Sequence, residues 1–335
     1  MKTAVFAYSR RGVETGLRVG ELLPEAPEYR TPEKYALPPY RPVAPTDYER
    51  LFREADALIF VSACGIAVRK IAPYIRSKTT DPAVICLDEG GNFVISLLSG
   101  HIGGANELAK RIAAGLGATP VVTTATDVRG RFSVDAWAAE KGYAISSMAG
   151  AKAVSAAILE RDIPVSSEFP MPKKLPAGLY AGESGELGIY IGFQKREPFA
   201  ETLRLIPKAL HLGLGCRKGI QKEQVLHAIQ SVMNRENLDI RGIADAGSIT
   251  LKKDEEGLLA ACRELEIPIR FYAPEVLNAL PGTFTPSAFV ASVTGVDNVC
   301  ERAARMSGDY LIVKKSAEDG VTVALAASNW EVDFG

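Results

Sequence analysis

The stretch Leu97–Ile112, LLSGHIGGANELAKRI, runs from the end of an apolar segment through a glycine-rich turn into a helix. The apolar segment FVISLL before it reads as a strand. After the turn, Leu108, Ile112 and Leu116 recur every four residues and make one apolar stripe, with Glu107, Lys110 and Arg111 turned away. Gly115 and Gly117 then stop the helix. Strand, tight turn and helix in immediate succession are the unit of an α/β fold.

Working outward, the same alternation fills the first part of the chain. AVFAY, DALIFVSA, AVICL and PVVTTAT read as strands, with GVETGLRVGELL and TDVRGRFSVDAWAAEKG as helical or turn-and-helix segments. DEGGN reads as the turn of a hairpin between AVICL and FVISLL. The Pro-rich stretch from Pro24 to Pro45 is expected to be an irregular surface excursion. A second strand–helix series begins near Lys208. It comprises ALHLGLG, KEQVLHAIQSVM, IADAGSI, EEGLLAACREL, PIRFYA, PEVLNAL and NVCERAARMS, then the paired strands YLIVK and VTVALAA. Between the two series lie a small-residue helix, Pro/Gly-rich loops and one strand, IYIGF. The predicted fold class is therefore α/β, with a layered N-terminal α/β domain (1–135), a small middle domain (136–207) and a second α/β domain (208–335).

The composition excludes several function classes. Of 335 residues, 47% are hydrophobic and 24% charged, which leaves ample material for packed cores. Lys and Arg total 39 against 40 Asp and Glu, so no basic surplus points to nucleic acid or an anionic membrane. The N-terminal apolar run is too short for a signal peptide, and none is long enough to span a membrane. The five cysteines are scattered, without CxxC or zinc-like spacing, as in reduced thiols of a cytoplasmic protein.

One of only three histidines, His101, stands in the glycine turn beside Ser99, Gly100, Gly103, Gly104 and Asn106. Such a corner can be catalytic, can cradle an anion on unpaired N–H groups at the helix start, or can be only a tight turn. As a catalytic corner, His101 would act as a base or donate to an oxyanion, with backbone N–H groups near Gly103 and Gly104 assisting. Asn106 or Ser99 would cap the helix. Asp88, Glu89 and Glu107 are further acid–base candidates, the first two at a strand end where α/β folds place their sites. Arg69, Lys70, Arg76 and Lys78 form a local basic cluster, read either as substrate contacts or as a solvated face. Thr123, Thr124, Thr126 and Asp127 end the next strand and would line the same crevice. In the C-terminal series, GLGCRKG repeats the strand–glycine–helix idea. There Cys216 is expected to have a thiol pKa lowered by the helix start, and Arg217 and Lys218 to bind anions. Lys252, Lys253 and Asn298 are additional binding candidates, and Asp254 and Asp297 are expected N-caps. Neither GxxxxGK[ST] nor GxGxxG occurs, so a nucleotide-binding enzyme has little support.

ISLLSGHIGGANELAKRIA followed by VVTTATDVRGRFSVD resembles the signature half of the cobalt-precorrin-5A hydrolases, the CbiG family of anaerobic cobalamin biosynthesis. GLGCRKG, SITLKKDEEGLLAAC and TGVDNVCERAA resemble that family's other domain, which is also similar to a small protein found alone in related pathways. The resemblance implies an enzyme that opens the ring A δ-lactone of cobalt-precorrin-5A and releases the two-carbon unit as acetaldehyde, giving cobalt-precorrin-5B. It implies a cobalt-corrinoid substrate that carries its own metal, no metal site or cofactor in the protein, and neighbouring pathway enzymes as partners. The rival reading is a non-catalytic protein that binds and hands over corrinoid intermediates.

Overall fold

The structure, a computed structural model, describes residues 1–77 and 80–335. They form two compact units, Met1–Glu140 with Ile158–Arg161, and Lys141–Ala157 with Asp162–Gly335. Lys78, one of the basic candidates, lies outside the described residues.

The first unit runs β1 (Thr3–Ala7), α1 (Arg10–Glu21), β2 (Glu28–Thr31), β3 (Arg41–Pro42), α2 (Pro45–Glu54), β4 (Ala57–Val61), α3 (Cys64–Ile71), β5 (Ala83–Leu87), β6 (Phe93–Leu98), α4 (Ala105–Leu116), β7 (Thr119–Val121), α5 (Ala125–Val128) and α6 (Val134–Glu140). β1, β4 and β5 are five-residue apolar strands buried throughout, because helices cover both faces of the sheet. Alternate residues serve the two layers. Val5, Ile59, Val61 and Ile85 pack with Val19 of α1 and Leu108 and Ile112 of α4. Phe6, Leu58, Phe60 and Val84 pack with Leu51 and Phe52 of α2 and Ile71 of α3. Each such fully buried side chain contributes roughly 1.5–3 kcal/mol.

The sheet order is β3-β2-β1-β4-β5-β6-β7. The DEGGN turn is the predicted hairpin, and it reverses the chain: β6 is antiparallel to β5, and β7 parallel to β6. The carboxyl end of β6 therefore lies beside the amino ends of β4 and β5, whereas short β7, paired with residues 93–95, ends level with the middle of β6.

The Pro-rich excursion is corrected. β2 pairs with β1 and β3 with β2, so the segment forms the parallel edge of the sheet. Tyr40 and Thr31 within it are buried. An edge strand tolerates proline because one side of it needs no ladder donor.

In the second unit, β8 (Ala144–Ile145), α7 (Met148–Ala157), β9 (Ile163–Ser167), β10 (Leu179–Ala181), β11 (Leu187–Ile191) and β12 (Glu201–Ile206) build a five-stranded sheet of order β10-β9-β11-β12-β8. The sequence disclosed only β11 of these strands. IPVSS and ETLRLI are short runs diluted by Pro, Ser and charge, and they become strands through pairing with distant partners.

β13 (Leu210–Cys216), α8 (Lys222–Arg235), β14 (Ile243–Ile249), α9 (Glu256–Glu264), β15 (Ile269–Tyr272), α10 (Pro274–Ala279), α11 (Ala288–Thr294), α12 (Val299–Arg305), β16 (Tyr310–Glu318) and β17 (Val321–Ala327) follow, with sheet order β15-β14-β13-β17-β16. Leu210, Leu212 and Leu214 point into the core with Val225 and Ile229 of α8. The alternate residues of β13 face α12. A Cβ on Gly213 would stand 1.7 Å from the Cys300 carbonyl oxygen, so only glycine lets this helix lie so close.

Candidate active site

The turn after β6 is closed by its own backbone. The Gly104 N–H donates to the His101 carbonyl (2.8 Å), Ala105 to Ser99 (3.1 Å) and Asn106 to Gly100 (2.9 Å). Gly104 starts α4 at φ +76°. A Cβ on Gly103 would approach Ser99 Cβ to 2.4 Å. The glycines are thus required by geometry. The expected anion cradle is not formed by Gly104, whose N–H is engaged inside the turn. Neither Ser99 nor Asn106 caps α4, because Gly104 takes the N-cap position without a side-chain bond. Ser99 itself is buried at φ +56°, and its Oγ has no hydrogen-bond partner among the described residues.

Folded this way, the turn delivers His101 to a pair of carboxylates. Nδ1 lies 3.2 Å from Asp135 Oδ1 at the start of α6, and Nε2 lies 3.3 Å from Asp127 Oδ2 and 3.2 Å from Thr126 Oγ1 on α5. Asp135 is fixed in turn, accepting from Ser133 Oγ (3.0 Å) and the Ala136 N–H (3.0 Å). Asn106 Nδ2 donates to Thr124 Oγ1 (2.9 Å) and Asp127 Oδ2 (3.0 Å), and Lys110 Nζ donates to Asp127 Oδ1 (2.9 Å) and Glu107 Oε1 (2.7 Å). His101, Ser99, Gly100, Gly103, Gly104, Asn106, Glu107, Thr124 and Asp127 therefore belong to one neighbourhood. Within it Glu107 is an exposed partner of Lys110.

The hydrogen bond that His101 donates to Asp135 raises the His101 pKa above the ordinary imidazole value, against the burial that lowers it, with Asp127 adding to the rise. Burial would raise the Asp127 carboxyl, but Lys110 and His101 hold it below the usual range, so it stays ionised. With Nδ1–H committed to Asp135, Nε2 is the working nitrogen. When it is neutral, the Thr126 hydroxyl donates to it; when it is protonated, it donates to Asp127. Each protonation state has a partner, which suits a group that takes and returns a proton.

Asp135 and Thr126 complete the site; Thr126 is legible in the sequence as a crevice residue, and Asp135 was not singled out. Asp135 reads as an ordinary acidic residue in a first helical turn, and nothing local couples it to His101. Lys110 was read only as part of a solvated helix face.

Asp88 and Glu89 stand at the other end of the sheet. Because β6 reverses, the six residues from Phe93 to Leu98 separate the two places by roughly 17 Å. Asp88 accepts the N–H groups of Gly90 (3.1 Å), Asn92 (2.8 Å) and Phe93 (2.7 Å). These bonds overcome burial and keep its carboxyl below the usual range, so it holds the turn and is no proton donor at neutral pH. Glu89 accepts from Ser9 Oγ at 2.6 Å. Both line a separate crevice of about 560 Å³ at the carboxyl ends of β1, β4 and β5. The expectation that they share a crevice with His101 is corrected. Arg69 is exposed on α3, where it bonds the Gly65 carbonyl of its own helix.

In the second unit the candidates divide. Arg217 and Lys218 are exposed in the loop after β13, with Lys253 exposed near the start of α9. Lys252 Nζ pairs with Glu255 Oε2 at 3.3 Å, while Glu255 Oε1 accepts the Gly219 and Ile220 N–H groups. Burial pushes the Cys216 thiol up to about 11, opposite to the expected activation. Its place at the end of a strand, half-buried, outweighs any helix start nearby. Asn298 is buried and fully used: Oδ1 accepts the Glu301 N–H (2.9 Å) and caps α12, and Nδ2 donates to the Thr285 carbonyl (2.8 Å). Asn298 therefore caps where Asp297 was expected to, and Glu255 rather than Asp254 stands at the N-cap of α9.

Comparison with known proteins bears on the whole chain. Residues 47–127 match the family model for the cobalamin synthesis G N-terminal region, and residues 210–326 the model for its C-terminus. A cobalt-precorrin-5A hydrolase of Priestia megaterium is 33% identical over 298 residues, covering 82% of this chain and 79% of that protein. One from Salmonella typhimurium is 32% identical over 302 residues, covering 83% and 84%. A solved cobalamin biosynthesis protein G homolog from Sulfolobus solfataricus is 23% identical and covers 97% of each chain, with a TM-score of 0.42. By its two family domains and its length-spanning relatives, this chain belongs to the cobalt-precorrin-5A hydrolase (cobalamin synthesis G) family.

Proposed function

We propose that this chain hydrolyses cobalt-precorrin-5A, opening its ring A δ-lactone and releasing the two-carbon unit as acetaldehyde to give cobalt-precorrin-5B. Membership of the hydrolase family supports this reading over a non-catalytic hand-over protein. The observation that carries the mechanism is the His101 imidazole fixed at Nδ1 by Asp135 and free to cycle a proton at Nε2. Lactone opening needs a water made nucleophilic and a place for the charge of the tetrahedral intermediate. His101 Nε2 takes the water's proton and returns it to the departing alkoxide oxygen. Lys110, held between Asp127 and Glu107, and the protonated His101 ring are the cations this corner offers the intermediate. The cobalt is part of the substrate, and the step needs no metal or cofactor from the protein.

No helix among the described residues is long and apolar enough to cross a membrane. A cytoplasmic place, with other enzymes of the pathway as neighbours, fits this function.

The test is anaerobic incubation of the purified protein with enzymatically made cobalt-precorrin-5A, following product mass and trapped acetaldehyde. Stoichiometric acetaldehyde supports the hydrolase. Substrate bound but unchanged means the hand-over protein instead.

A further inference from the structure

The second unit holds an array outside everything described so far. His211, the second residue of β13, pairs in register with Asp245 of β14 on one side, and antiparallel β17 ends beside it on the other. Neighbouring residues in register point to the same face of a sheet. His211 Nδ1 lies 2.8 Å from Asp245 Oδ1, and His211 Nε2 lies 2.9 Å from the Oγ of Ser328, the residue just after β17. Asp245 and His211 are buried, while Ser328 is half-buried at the strand end. Burial would raise the Asp245 carboxyl, but the bond from His211 keeps it below the usual range and ionised. An ionised Asp245 takes the Nδ1–H and leaves the Nε2 lone pair to accept from the Ser328 hydroxyl. Gly308 lets the chain pass close over the ring, since a Cβ there would stand 3.2 Å from His211 Cδ2.

The geometry points to Ser328 as an activated serine nucleophile, with His211 as its base and Asp245 orienting the base. This is the nucleophile–base–orienter order of acyl-transfer sites, which is recognised by geometry and not by chain position. The substrate class is a carboxylic ester or lactone. Ser328 Oγ bonds to the carbonyl carbon while its proton passes to His211 Nε2. The alkoxide then leaves with that proton, and a water deprotonated by His211 releases the acid and restores the serine. Amides fall outside the class. The Ser328 N–H donates to the Ala209 carbonyl (3.0 Å) and the following N–H, on Asn329, to Asp309 Oδ2 (2.7 Å), so both natural backbone oxyanion donors are occupied. The two hydrogen bonds of His211 also tie together β13, β14 and the end of β17. A purely structural role needs no reactive hydroxyl, and on that point the two roles part.

The test treats the full-length protein with an alkyl fluorophosphonate, then reads intact mass and maps the labelled peptide. Attack by Ser328 Oγ on phosphorus expels fluoride as His211 takes the proton, so one adduct on Ser328 is expected. Ser328→Ala should be unlabelled and should lose about 1,000-fold in hydrolysis of p-nitrophenyl acetate. His211→Gln should label about 100-fold or more slowly. If the glutamine variant fails to fold, the alanine variant, which removes one half-buried hydroxyl, still decides. An unlabelled wild-type protein, or Ser328→Ala hydrolysing the ester at the wild-type rate, overturns the proposal. The mapped adduct on Ser328, read in His101→Ala as well as in wild type, separates this proposal from the function proposed for His101.

Discussion

His101 Nδ1 and Asp135 Oδ1 lie 3.2 Å apart, joining the glycine turn after β6 to the first turn of α6. That bond selects the tautomer that leaves Nε2 as the reactive nitrogen.

Removing either partner should therefore disable turnover without unfolding the protein. His101→Ala should lower kcat by about 10²–10⁴, and Asp135→Asn by a similar order because it favours the wrong tautomer. Acetaldehyde release under anaerobic conditions measures both, with circular dichroism as the check on folding. Activity within a few-fold of wild type in a folded His101→Ala protein would remove the residue from the mechanism.

The pH profile follows from the raised His101 pKa. The base must be neutral to accept a proton, so kcat/KM should rise with pH and reach half its plateau above the ordinary imidazole value of about 6.5. Asp135→Asn, which removes the main cause of the rise, should move the midpoint down. The same shift has a stability side. The charged ring stabilises the turn fully below the unfolded value, and that contribution is lost as pH rises through the folded one. Hydrogen exchange of the Ala105 and Asn106 amides against pH reads this directly.

Asp239 offers a separate test in the second unit. Burial opposes its charge, but Arg241 and Arg204 hold its carboxyl down to about 2. A depressed folded-state value gives stability that is present above the unfolded value near 4 and lost as pH falls towards 2. The linked contribution is about 2 kcal/mol. Urea unfolding at pH 7 and pH 3 should show about half of it in wild type, and Asp239→Asn should abolish the difference at this site.

The Cys216 thiol, raised to about 11, should react slowly with a disulfide reagent at pH 7.5, and Cys216→Ser should leave turnover within a few-fold of wild type. Rapid modification accompanied by loss of activity would restore the thiol as a nucleophile.

Tyr40 tests the corrected Pro-rich segment. Its ring is buried against Tyr29, with ring centroids 4.8 Å apart, and packs in the core of the first unit. Tyr40→Ala should lower stability by about 3–5 kcal/mol, as loss of a large buried aromatic does. An irregular surface excursion would tolerate the change, so an unfolding midpoint unmoved in urea contradicts the edge-strand assignment.

The sequence alone was enough for the features written in local chemistry. The two α/β series, the DEGGN hairpin, the glycine corner around His101 and the stripe of α4 all follow from side-chain period and turn residues, which act over a few positions. His101, Asn106, Thr124 and Asp127 were legible as neighbours because they follow two successive strands, and the segments after those strands meet. Tertiary structure decided the rest. Reversal at β6 sends Asp88 and Glu89 to the opposite end of the sheet from His101, although they are nearer to it in sequence than Asp127 or Asp135. Asp135 reaches the imidazole only when α6 folds back, and Ser328 reaches His211 only when β17 pairs with β13. Proline and serine in the edge and middle strands masked segments that become strands only by pairing. The physical reason is common to these cases: helix period, caps and turns are set by neighbours along the chain. Strand direction, register and the meeting of side chains are set by hydrogen bonds and packing between residues far apart in sequence.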